Sequence, residues 1–255
     1  MTEQATFWEH LDQLRFAILR SLGVTVALAV VMFCLKEPLF QVVLAPRSSD
    51  FITYRLIGAD DFELHLINIG LTEQFMTHLR VALYTGLLLA LPYVLFELFR
   101  FVSPGLYQNE RRAAGWLVGS GYVMFALGIL ICYFIIFPFT VRFLGTYQVS
   151  TDIDSMLTLQ SYIDTLITLS FLIGVTFELP VVCAVLGRLG LIHGRLMRSY
   201  RRHAIVAILV VAAIITPTTD VFTLLVVSLP IWLLYEFSIL LVPGPPPTHP
   251  QGRGG

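Results

Sequence analysis

Six apolar runs separated by polar connections set the pattern of this chain, at about 16–35, 75–99, 114–140, 160–187, 204–217 and 221–242. A helix needs ~20 residues to cross a ~30 Å hydrocarbon core, and the first four runs meet that length. The fifth, AIVAILVVAAIITP, holds roughly 14 residues and reaches only about 21 Å at 1.5 Å per residue. The sixth follows after Pro217, Thr218, Thr219 and Asp220, a sharp turn whose aspartate is placed to cap the next helix. The pattern predicts an all-α membrane protein of six transmembrane helices. Its fifth and sixth helices form a tight hairpin of short spans that thins the bilayer locally. A re-entrant fifth segment is the competing arrangement.

Composition supports lipid as the main solvent. Only 13 % of the 255 residues are Asp, Glu, Lys or Arg, against 56 % hydrophobic. A water-facing domain of this size carries roughly a quarter charged residues. The placement of the charges is more informative than their sum. Arg15 precedes the first run, Arg100, Arg111 and Arg112 follow the second, and Arg188, Arg195, Arg198, Arg201 and Arg202 follow the fourth. The connections at 36–74 and 141–159 are longer and poorer in positive charge. By the positive-inside rule both termini face the cytoplasm, N-in and C-in, and the first and third connections form small ordered caps outside.

The chain divides into three parts on this pattern. Residues 1–15 form a cytoplasmic amphipathic helix in the headgroup plane, with Phe7, Leu11 and Leu14 on one face and Asp12, Gln13 and Arg15 near the other. Residues 16–242 are one six-helix transmembrane domain. Residues 243–255, PGPPPTHPQGRGG, are a disordered cytoplasmic tail whose prolines preclude a helix. The N-terminus lacks the basic start and the small-residue cleavage site of a secretory signal.

Candidate chemistry is sparse. Cys34, Cys132 and Cys183 lie in different apolar runs, with no CxxC spacing, and suggest neither a disulfide nor a metal site. There is no HExxH, no GxSxG nucleophile motif and no phosphate-binding glycine loop, so an enzyme is not indicated and no cofactor is implied. The arginines are juxtamembrane, where topology explains them, so nucleic acid is not a partner.

One carboxylate, Glu178 in SFLIGVTFELPVV, falls within the fourth run, where a charge costs about 2.5–3.5 kcal/mol even on insertion scales. Structural hydrogen bonding and a role in transport or partner binding are both open for it. Pro180 bends the helix just beyond. Glu236 is placed to pair with a loop arginine, and Glu97 to pair with Arg100 at i+3.

The stretch SPGLYQNERR, residues 103–112, sets Glu110 directly against Arg111 and Arg112. On spacing alone this is an exposed charge cluster worth almost nothing. HLDQLR (10–15), TEQF (72–75), FVSPGLYQNERR (101–112), FELP (177–180), TPTTD (216–220) and P…LYE (Pro230, Leu234 to Glu236) occur in this order. Together they resemble the TatC family, the multispan receptor subunit of twin-arginine protein translocases, over residues 7 to 242.

The resemblance implies a six-helix fold with a concave, glove-like face. It implies a non-enzymatic receptor that binds the twin-arginine signal peptides of folded precursors. Export is then driven by the proton-motive force across a bacterial cell inner membrane. The implied partners are those signal peptides, single-span TatA- and TatB-type proteins, other copies of the chain and the lipid bilayer.

By position, the resemblance makes Glu110 the main recognition carboxylate. Asp12, Gln13, Arg15 and Phe101 are further signal-peptide positions. The family's usual glutamate is Gln13 here, which accepts a hydrogen bond but carries no charge, with Asp12 beside it. Glu97 stands where a glutamine is common. Glu178 matches an intramembrane glutamate, and Thr216 and Asp220 lie at the turn where partner helices pack. The rival function is a proton-coupled small-solute transporter using Glu178, which calls for a second intramembrane ionisable group or repeat symmetry; neither is evident.

Overall fold

In a computed structural model of the protein, residues 7–58, 62, 64–102, 111–146, 157–188, 190–216 and 220–242 are described. The described chain is almost entirely helical, and five of its helical stretches are long and apolar enough to cross a membrane: Leu11–Cys34, Glu73–Glu97, Gly119–Thr146, Leu159–Gly187 and Val221–Leu241. Large apolar side chains cover their outer faces. Phe16, Ile18, Leu19, Leu22, Val26 and Val30 are all exposed along the first, a patch that water would not tolerate and lipid does. The protein is a multi-pass membrane protein. It separates into two compact units, residues 1–174 and 175–255, taken here in turn.

The first unit opens with α1 (Phe7–Cys34), one unbroken 28-residue helix. From Phe7 on, the segment predicted over 1–15 as an amphipathic surface helix is continuous with the first span in a single helix. No proline or glycine lies near residue 15 to end the helix there, and helical hydrogen bonding continues across it. α4 (Glu73–Val102) runs antiparallel to α1. The pair touches at three levels: Phe33 stacks on His78 with ring centroids 4.1 Å apart, Ala29 meets Gly86, and Arg20 meets Glu97. At Gly86 a Cβ would come within 2.5 Å of the Ala29 amide nitrogen and 2.6 Å of its Cα. The two backbones approach that closely only because both residues are small.

Between these helices lies the first cap: α2 (Lys36–Leu44), a 3-10 turn at Ala45–Arg47, α3 (Ile52–Ile57) and the two-residue β1 (Leu66–Ile67). Gly58 ends α3 in the left-handed conformation, φ 64°, that glycine adopts without strain. The third long stretch joins α5 (Arg111–Ile131), a π-helical turn at Cys132–Ile136 and α6 (Phe137–Thr146). The wider π turn presents Tyr133 and Phe134 to the cap. There the Tyr133 hydroxyl donates to the Val42 carbonyl at 2.5 Å, and Thr53 Oγ1 donates to the Phe134 carbonyl. β2 (Leu157–Thr158) precedes α7 (Leu159–Thr176) and pairs in parallel with β1, Leu66 opposite Leu157 and Ile67 opposite Thr158. The two predicted caps are thus joined by backbone hydrogen bonds.

Glu73 reinforces that junction. One carboxylate oxygen accepts from the Ile69 and Gly70 amides and the other from the Gln160 amide. Arg80 adds an ion pair to Asp164 at 2.9 Å.

Tyr54 anchors the cap core. It is 1 % exposed, and its hydroxyl lies 3.1 Å from the Pro46 carbonyl and 2.9 Å from the Pro138 carbonyl, so one proton serves two acceptors. Burial raises its pKa above the ordinary tyrosine value, with Arg142 opposing. Because the folded value is raised, this contribution is complete below the unfolded tyrosine pKa of about 10 and fades as pH climbs toward the folded one. Tyr54→Phe is expected to cost about 1–2 kcal/mol by removing the buried hydrogen bonds of the hydroxyl. Thermal unfolding of the full chain, near neutrality and above pH 10, checks both expectations.

The second unit contains α8 (Leu179–Arg188), α9 (Gly194–Ser199), α10 (Arg201–Ile215) and α11 (Val221–Leu241). α11 packs on α8, α9 and α10, and a small core of Met197, Ile239 and Val242 closes one end. The predicted fifth helix is indeed short: α10 has 15 residues, about 22 Å. The predicted short sixth helix is not short. α11 has 21 residues and spans about 31 Å. Its internal Pro230 does not end it, because the apolar residues on either side favour the helix in lipid.

Candidate functional site

The antiparallel register of α1 and α4 fixes what lies at their shared end. From the Arg20–Glu97 contact, Gln13 is two turns, about 10 Å, further along α1. Phe101 is one turn, about 6 Å, further along α4 in the same direction. The short polar segment of HLDQLR and the aromatic preceding SPGLYQNERR therefore share one end of a rigid helix pair. Asp12, Gln13 and Arg15 are exposed there and Phe101 is half-buried. Residues 103–110, including Glu110, lie outside the described residues. α5 resumes at Arg111, so the connection from α4 leaves and returns at this same end.

Glu97 departs from its predicted pairing with Arg100. Its side chain is turned inward, 5 % exposed, and one carboxylate oxygen accepts a hydrogen bond from the Tyr93 hydroxyl at 2.9 Å. The cation beside it is Arg20 of α1, 3.8 Å away. Packing is the reason. α1 covers the face of α4 that carries Tyr93 and Glu97, one turn apart, whereas Arg100 falls on the exposed side. The sequence carries a faint signal for this cluster, since Arg20 follows Gln13 by seven residues and so shares its helix face.

The remaining candidate residues lie in the second unit. Glu178 occupies the break between α7 and α8. Pro180 lacks the amide that would bond back to Thr176, and the helix restarts at Leu179. Glu178 is half-buried, and its Oε1 has no hydrogen-bond partner among the described residues. Such a group in a span is expensive unless a function retains it. At the α10–α11 turn Asp220 is the N-cap the sequence predicts: its Oδ2 accepts from the Thr223 amide at 2.6 Å. Thr216 is buried and donates back to the Ala212 carbonyl at 3.0 Å. Glu236 pairs with an arginine, Arg201, which is the first residue of α10 rather than part of a loop, at 2.6 Å.

Comparison with known proteins decides the family. The model of the Sec-independent protein translocase protein (TatC) family matches residues 9–230. The chain belongs to the TatC family. A TatC protein of Desulforapulum autotrophicum is 35 % identical over 238 residues, covering 93 % of this chain and 84 % of the relative. One from Deinococcus radiodurans is 32 % identical over 238 residues, covering 93 % and 85 %.

Two solved structures of the TatC twin arginine translocase receptor align with it. One has a TM-score of 0.74 at 31 % identity, over 91 % of this chain and 97 % of that one. The other, determined in the detergent DDM, has a TM-score of 0.76 at 30 % identity, over 92 % and 99 %. The established role is therefore that of a TatC component of Sec-independent protein translocation in a membrane.

Proposed function

We propose that this TatC-family chain binds the twin-arginine signal peptides of folded precursors at the end of the α1–α4 pair where Asp12, Gln13, Arg15 and Phe101 lie. Glu110, in the adjoining 103–110 connection, is the principal carboxylate. The observation that carries this reading is the shared end itself. Gln13 and Phe101, nearly ninety residues apart in sequence, lie toward the same end of the α1–α4 pair, the end from which the chain leaves α4.

The chemistry fits the ligand. A guanidinium is planar, permanently charged and pairs bidentately with a carboxylate. Each charge-assisted bond contributes about 1.5–3 kcal/mol.

In this reading the chain spans the bacterial inner membrane six times, N-in and C-in, with α10 as a short fifth span and a concave face toward its partners. Arginine placement supports that orientation. Glu178, Thr216 and Asp220 belong to the surface that meets single-span TatA- and TatB-type helices. The chain acts without catalysis, and the proton-motive force supplies the energy. Export of a twin-arginine precursor from cells deprived of the chain tests this. Export is expected to stop, to return when the chain is restored, and to remain absent for a twin-lysine precursor. Undiminished export without the chain would contradict it.

A further inference from the structure

The Arg20–Glu97–Tyr93 cluster has features that a purely structural ion pair does not need. Glu97 is almost wholly buried, yet its counterion is poorly seated. Arg20 stands 3.8 Å away, beyond hydrogen-bonding distance, and its side chain is 54 % exposed while that of Glu97 is 7 % exposed. A guanidinium that serves a buried carboxylate for stability normally approaches to ~2.8 Å and uses two N–H groups. The Tyr93 hydroxyl at 2.9 Å fixes the carboxylate without neutralising it. The result is a positioned, buried carboxylate with a half-exposed guanidinium 3.8 Å away, one helical turn from Phe101.

We propose that Glu97 is a second arginine-reading carboxylate, and that one guanidinium of an incoming twin-arginine segment takes the place beside it that Arg20 holds in the unoccupied protein. Arg20 then swings outward to lipid phosphate or water. This deepens the receptor function proposed above and rests on it. With Gln13 uncharged, Glu97 and Glu110 become the two carboxylates for the two arginines. A loose resident cation also acts as a selectivity filter. A lysine ammonium, a strongly hydrated point charge, gains less than a guanidinium from a carboxylate already bonded to a hydroxyl.

The experiment measures binding of a fluorescent twin-arginine peptide, and of its twin-lysine counterpart, to the full chain in lipid nanodiscs at low and moderate salt. Glu97→Gln keeps an acceptor for Tyr93 while removing the charge. It is expected to weaken the twin-arginine peptide roughly tenfold, to flatten the salt dependence, and to narrow the preference over lysine. Arg20→Gln removes the competitor and is expected to tighten binding about threefold.

The opposite signs are the test. A pair that merely holds α1 on α4 predicts that both variants weaken binding and lower the melting temperature together, and that result overturns the proposal. So does unchanged binding in Glu97→Gln. Should Glu97→Gln fail to fold, Arg20→Gln decides alone: tighter binding supports the exchange, and equal or weaker binding refutes it. If wild-type protein does not prefer arginine over lysine, the receptor reading itself fails. Loss of binding in Glu110→Gln with none in Glu97→Gln keeps that reading and removes Glu97 from it.

Discussion

Replacing Gly86 with leucine is expected to force the first two long helices apart and abolish stable folding of the first unit. A single Cβ at this position already lies 2.5 Å from the Ala29 amide nitrogen, a contact with backbone that no rotamer change relieves. Overpacking of a tight core costs about 1–3 kcal/mol where side chains can give way, and more where they cannot. Since α1 and α4 also set the level of Gln13 relative to Phe101, any surviving protein should lose peptide binding with its stability. Thermal unfolding in detergent reads the first effect, and binding of a fluorescent twin-arginine peptide reads the second. Ala29→Gly, which withdraws one methyl from the contact, should rescue Gly86→Ala partly and Gly86→Leu little. A wild-type melting temperature for Gly86→Leu would show that the helices are not in contact there.

Glu110→Ala is the substitution expected to damage function most while leaving the fold intact. If two charge-assisted bonds at about 1.5–3 kcal/mol each are lost, affinity for a twin-arginine peptide falls roughly a hundredfold to ten-thousandfold. Glu110→Gln, which keeps the shape but not the charge, should retain only a small part of that. Both variants should melt at the wild-type temperature, because a charge cluster of this spacing, with Glu110 next to Arg111 and Arg112 in sequence, contributes little to stability. Normal binding by Glu110→Ala with normal stability would remove Glu110 from the site.

Much of the architecture was legible because lipid imposes a strict rule: every spanning backbone must satisfy itself, so apolar length reads directly as helix. α1, α4, the α5–α6 stretch, the α7–α8 stretch and α11 follow the apolar runs closely. The short α10 follows from its residue count. Asp220 as N-cap followed from local spacing, and the pairing of Glu236 with an arginine from its place near the end of an apolar run.

What spacing could not supply is tertiary. The pairing of β1 with β2 joins segments some ninety residues apart through two residues each, too short for any periodicity to announce. The inward turn of Glu97 depends on α1 covering that face of α4, and an i+3 arginine at position 100 offered a simpler local partner. The break at Glu178 was half legible: Pro180 predicted a bend, but a carboxylate oxygen without a partner among the described residues emerges only from packing. The candidate site was found through motif order. The structure adds that the HLDQLR segment and Phe101 lie toward the same end of the α1–α4 pair.

Site-specific photocrosslinking tests that convergence most directly. A photoreactive residue is placed in turn at position 13, at position 110 and at Ile52 in the opposite cap, and membranes are irradiated with a twin-arginine precursor. The account predicts crosslinks from positions 13 and 110 that disappear with a twin-lysine precursor, and none from position 52. Equal crosslinking from position 52, or none from 13 and 110, would contradict it.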